Sequence, residues 1–175
     1  MVNWDQESVW DDFYDIAARD GSNQRLGYSW KFLHHVQGPV NATNATPTYA
    51  LNSLARLKAA TGYRATATTK ALIVGCGLGG LVSVMRAEAP GGAIIGGAET
   101  STYIQAIKLT DSNMPAGLAA HIHDIDITAA NILTLLTPIF GGVGKCDFVI
   151  TEDMISSIPT LDVQQVQQAC WSQLT

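Results

Sequence analysis

The segment Ala71-Leu-Ile-Val-Gly75-Cys-Gly77-Leu-Gly79-Gly80-Leu81 constrains the fold more than any other part of this 175-residue chain. Four apolar residues in a row, Ala71 to Val74, read as a short buried strand. The glycines after them permit a tight turn and let a ligand approach the backbone with no Cβ in the way. A helix expected over Gly79 to Ala89 follows at once, and its amino end offers unpaired N–H groups to an electronegative group. A buried strand running through glycines straight into a helix is the opening unit of a parallel α/β sheet.

The rest of the chain after residue 70 repeats that alternation. Strands are expected at Ala93 to Gly97, Ala119 to Ile125 and Asp147 to Thr151. Helices are expected at Ser101 to Leu109, at Ala129 to Thr137 with Pro138 closing it, and at Leu161 to Leu174. The fold class this implies is α/β, a Rossmann-like parallel sheet with helices on both faces. Upstream, Thr48 to Thr61 predicts a helix whose apolar stripe runs through Tyr49, Leu51, Leu54, Ala55, Leu57 and Lys58 and which Gly62 stops. Gln37 to Pro47 is a loop. Met1 to Val36 is the most aromatic part, with helical spacing at Val9, Trp10, Phe13 and Ile16, and is expected to form a helical N-terminal cap over 1–47.

Composition narrows the function classes. Only 14% of residues are charged, against roughly 25% in an ordinary soluble domain. A net charge of −5, with the ten basic residues scattered, argues against a broad nucleic-acid surface. Met1 to Asp15 is acidic and aromatic, unlike a secretory signal, and no apolar run is long enough to suggest a membrane span. The three cysteines, Cys76, Cys146 and Cys170, are widely separated and suit a reduced, cytoplasmic protein.

Glu99 stands at the end of the second expected strand, where a carboxylate can accept the hydroxyls of a ribose. Gly75-x-Gly77-x-x-Gly80 also satisfies the dinucleotide fingerprint, so NAD or FAD enters as an alternative. Val74-Gly-Cys-Gly-Leu-Gly79 resembles the first motif of class I S-adenosylmethionine (SAM)-dependent methyltransferases. Ile95-Gly-Gly-Ala-Glu99-Thr-Ser-Thr-Tyr-Ile-Gln-Ala106 resembles their second strand and the helix after it. Ala119-His-Ile-His-Asp124-Ile-Asp126 resembles the third strand, and Cys146-Asp-Phe-Val-Ile-Thr-Glu-Asp153 the fourth. The resemblance covers about residues 50 to 175 and makes 48–175 a SAM-binding Rossmann-like domain. It departs from the family in two ways. The usual Asp at the ribose position falls on Ala98 in the tightest alignment and on Glu99 only with a one-residue shift. The family sheet has seven strands, of which four are readable here, so either the chain is the SAM-binding part of such an enzyme or another chain covers its fourth-strand edge, and the sequence leaves both open.

What the resemblance implies is a methyltransferase acting on an unidentified acceptor, most simply a small molecule. Gly75, Cys76, Gly77 and Gly79 would surround the methionine part, Glu99 the ribose, and Asp124 and Ile125 the adenine. Thr151 would line the reaction side, with Glu152 and Asp153 as the catalytic carboxylates that take a proton from a hydroxyl or amine acceptor. His121 and His123, two apart on an expected strand and close to Asp124 and Asp126, are read as packing residues at the strand end, with no metal implied. Two alternatives come from other classes: an NAD- or FAD-binding oxidoreductase fragment, and a non-catalytic Rossmann-like module that binds a partner through its open sheet edge.

Overall fold

The computed structural model describes residues 48–100, 104–105, 108–109, 116–140, 146–151, 164, 166–168 and 170–171. The expected N-terminal cap, 1–47, lies outside the described residues. Helix α1 (Thr48–Thr61) leads into strand β1 (Lys70–Val74), helix α2 (Gly80–Glu88) and strand β2 (Ile94–Glu99). A 3-10 turn (Leu118–His121), strand β3 (Ile122–Asp124), helix α3 (Ile132–Phe140) and strand β4 (Phe148–Thr151) complete the described elements. Residues 104, 105, 108 and 109 are helical, as are 164, 166–168, 170 and 171, in the two places where helices were expected.

The four strands form one sheet in the order β3-β2-β1-β4, and every pairing is parallel. The chain lays down β1, β2 and β3 in one direction, then crosses back to place β4 on the other side of β1. This reversal creates a crevice at the carboxyl ends of β1 and β4, where open α/β sheets receive ligands.

Alternate residues of each strand face opposite sides, and each side has its own core. Ala71 and Ile73 of β1 and Ile95 of β2 pack with Leu54 of α1 and Val82 and Met85 of α2. Leu72, Val74 and Ala98 pack on the other side with Leu136 and Phe140 of α3 and with Val166. β1 is buried from Ala71 to Val74, which explains its unbroken apolar run.

Helix α1 buries Ala50, Ser53 and Leu54, with Leu57 packed beside them. The stripe drawn from the sequence was too wide, since Leu51 and Ala55 are exposed. Gly62, at φ +70°, closes the helix by donating to the Lys58 carbonyl at 2.9 Å. Lys58 pairs with Glu88 and links the carboxyl ends of α1 and α2, an exposed contact of small worth.

Two expectations need correction. The third strand was expected over Ala119 to Ile125, but β3 is only Ile122–Asp124. Its pairing with β2 spans only Gly97 to Glu99, and Gly117 in a left-handed conformation starts the 3-10 turn that buries Leu118. The third helix was expected to start at Ala129 and to end before Pro138, yet it starts at Ile132 and contains that proline. Asp126 delays the start, because its carboxylate accepts both the amide and the hydroxyl of Thr128 at 2.8 and 2.6 Å. The helix runs through Pro138 because Leu136 and Phe140, one turn apart, are both fully buried.

Leu136→Ala should therefore cost about 2–5 kcal/mol in urea unfolding. Leu133→Ala, on the half-exposed face of the same helix, should stay within about 0.5 kcal/mol of the parent.

Candidate functional site: the carboxyl edge of the sheet

Sheet register brings the expected site residues to one edge. Val74 pairs with Ala98 on one side and Thr151 on the other, and Glu99 pairs with Asp124. The loop 75–79 leaves β1 at the same level. Gly75, Gly77 and Gly79 all have positive φ, at 67°, 52° and 79°, so the turn uses the conformations that glycine adopts without a Cβ penalty. Gly79 has a second reason to be glycine: a Cβ there would lie 2.7 Å from Ile122 Cδ1.

The loop is fixed to the end of β2 by three hydrogen bonds. Gly75 and Cys76 N–H groups donate to the Ala98 carbonyl at 2.9 and 3.3 Å. The Gly77 N–H donates to Glu99 Oε2 at 2.9 Å. Ala98 and Glu99 thus play different parts. The Ala98 side chain is buried in the core on the α3 side, whereas the Glu99 carboxylate lies against the glycine loop.

Gly96 and Gly97 make β2 look weak in the sequence, and packing explains both. A Cβ on Gly97 would lie 2.3 Å from Cys76 Sγ and 2.6 Å from Cys76 Cβ. A Cβ on Gly96 would lie 3.2 Å from His123 Nε2 on the opposite face. Gly97 lets the loop settle onto β2, and that settling brings Gly77 within reach of Glu99.

Cys76 is half-buried as a residue with its sulfur turned in over Gly97. Burial pushes the thiol well above its ordinary pKa, Glu99 adds to this, and a backbone hydrogen bond and Lys108 offset part of it. The thiol stays protonated at neutral pH and is a poor nucleophile.

Asp124 is exposed at the end of β3, while Ile125 turns into the α3-side core at 6% exposure. Ile125 therefore presents only backbone to a ligand. Thr151, half-buried at the end of β4, borders the crevice. Glu152 and Asp153 lie outside the described residues. His121 lies in the 3-10 turn rather than on a strand, which corrects the expectation that it shares a strand with His123. Among the described residues no group of three or more His, Cys, Asp or Glu could hold a metal ion.

Two residues not singled out from the sequence join the site. Gln105 donates its side-chain amide to the Glu99 carbonyl at 2.6 Å. Lys108 donates its ammonium to the Ile122 carbonyl at 2.5 Å. Nothing in the sequence marks them, because a polar residue in a short amphipathic helix ordinarily reads as solvent-facing.

No family model matches the chain, and no curated protein matches it.

Two predictions follow from packing and charge. Gly97→Ala should cost about 1–3 kcal/mol in urea unfolding, as over-packing does, and Cys76→Gly in the same chain should recover most of it. Burial lowers the pKa of both histidines; Arg86 also lowers that of His121, and His121 and Lys108 also lower that of His123. The unfolded chain then binds protons more readily than the fold, so the contribution is complete above the usual 6.5 and is lost as pH falls from there toward the folded values. Chemical denaturation across pH 7 to 5 should show a shallower stability loss in His123→Gln than in the parent.

Proposed function

We propose that this chain binds SAM across the carboxyl edge of its sheet and serves methyl transfer to a small-molecule acceptor. The observation that carries the proposal is the joining of the glycine loop to the acid at the end of β2, Gly77 N–H to Glu99 Oε2, beside the β1–β4 crevice. The residues present suit the cofactor's chemistry. Glycines with positive φ give a bare backbone at the amino end of α2 for the amino-acid part. The loop amide holds the Glu99 carboxylate at the end of β2, the position proposed for the ribose. Asp124 and the Ile125 backbone stand where an adenine would lie, and Thr151 faces the crevice from β4.

When bound, SAM supplies an already activated methyl group. The protein's part is then to align an acceptor with it, a proximity effect. Glu152 and Asp153, directly after Thr151 in the chain, are proposed to receive the acceptor's proton. The net charge of −5 supports a small acceptor over a nucleic acid. Among the described residues no helix is long and apolar enough to cross a membrane.

Calorimetric titration with SAM, S-adenosylhomocysteine and NAD tests this. The expected result is saturable binding of the first two near one site per chain. Glu99→Ala should weaken it by roughly 10- to 100-fold, the worth of hydrogen bonds to a charged group, in a variant shown to be folded by circular dichroism. Binding of NAD instead would move the assignment to a dinucleotide enzyme. Binding of neither would favour a partner-binding module.

A further inference from the structure

Glu99 ends β2 with its backbone held on both sides. The carbonyl before it, that of Ala98, accepts from the Gly75 and Cys76 N–H groups at 2.9 and 3.3 Å. Its own carbonyl accepts from the Gln105 side-chain amide at 2.6 Å. Each peptide unit is planar, so the two planes that flank a residue set its backbone direction. The glycine loop holds the plane before Glu99, and Gln105 holds the plane after it. Together they fix the direction in which the Glu99 side chain leaves β2. That direction brings Oε2 within 2.9 Å of the Gly77 N–H.

Gln105 is itself firmly placed. It is half-buried, in a stretch that is helical at 104–105 and 108–109. Its neighbour Ile104 is fully buried and seats that stretch. Lys108, three positions on and on the same helix face, ties it to β3 through the Ile122 carbonyl at 2.5 Å. The chemistry of the side chain also fits. A neutral amide can donate to the Glu99 carbonyl without offering a charge that competes with Gly77 for the carboxylate, as Lys or Arg there would. Glu at the same position would have no proton to donate.

We propose that Gln105 is a positioning residue that aims the Glu99 carboxylate at the glycine loop by holding the peptide that follows it. It acts through the Glu99 backbone. Its consequence for the cofactor rests on the site assigned above, whereas the aiming itself needs no ligand.

The test uses the full chain with Gln105→Met, which keeps the length and removes the donor, and Gln105→Glu, which keeps the shape and cannot donate at neutral pH. Amide exchange at Gly75 and Gly77 is followed by NMR without ligand, and S-adenosylhomocysteine affinity by calorimetry. Gly77 reads the bond to Glu99, whereas Gly75 reads the loop's bond to Ala98. Both variants should speed exchange at Gly77 by roughly 3- to 10-fold, the worth of one hydrogen bond, and leave Gly75 unchanged. In a Glu99→Ala background, Gln105→Met should no longer affect Gly77. Affinity for S-adenosylhomocysteine should fall by a similar factor. Equal acceleration at Gly75 and Gly77 would overturn the proposal and leave Gln105 as a stabiliser of the strand–helix connection, and an unchanged Gly77 would overturn it too. If the parent binds no S-adenosylhomocysteine while Gly77 alone responds to Gln105→Met, the cofactor assignment fails and the aiming of Glu99 stands.

Discussion

A 2.9 Å hydrogen bond from the Gly77 amide to the Glu99 carboxylate joins the turn after β1 to the end of β2, and the carboxyl edge is arranged so that it can form. Gly97 carries no side chain, so Cys76 can lie on β2. Gly79 carries none, so α2 can start directly over Ile122. Three positive-φ glycines turn the chain within five residues. An acid that would otherwise extend into solvent is instead held against the amino end of a helix, where a carboxylate is favoured. The result is a carboxylate fixed against the loop through its Oε2.

The same arrangement concentrates charge. Glu99 and Asp124 are register partners at the ends of β2 and β3. Burial lowers the pKa of Lys108, and Asp124 offsets part of this. Cys76, between Glu99 and Lys108 in its electrostatics, stays a neutral thiol. The glycine loop is thus a turn whose Gly75, Cys76, Gly77 and Gly79 N–H groups donate within the protein, backed by an uncharged sulfur unsuited to covalent chemistry.

Much of this was legible in the sequence because it depends on local pattern. The helix from Thr48 to Thr61 lies where Gly62 and the apolar spacing placed it. The first, second and fourth strands begin within one residue of their expected starts. Once the sheet is parallel, Glu99, Asp124 and Thr151 must gather at one edge, so their meeting follows from strand ends alone. What was not legible depends on contacts distant in the chain. Gly96 and Gly97 weaken β2 by propensity, and only His123 and Cys76 explain them. β3 is short because the 3-10 turn Leu118–His121 takes up the residues before it, so it pairs with β2 only from Gly97 to Glu99. Pro138 stays inside α3 because Phe140 is buried beyond it. Lys108 and Gln105 reach backbone carbonyls on strands that no local pattern connects to them.

The most direct test of the central claim is amide chemical-shift mapping of the isotopically labelled protein during titration with S-adenosylhomocysteine. The account predicts that the largest shifts fall on Gly75, Gly77, Gly79, Glu99, Asp124 and Thr151, with Gly77 foremost because its N–H bonds Glu99, the acid proposed to meet the ribose. Shifts confined to the opposite edge of the sheet, around Thr69 and Ala93, or the absence of any shift in a folded protein, would contradict it.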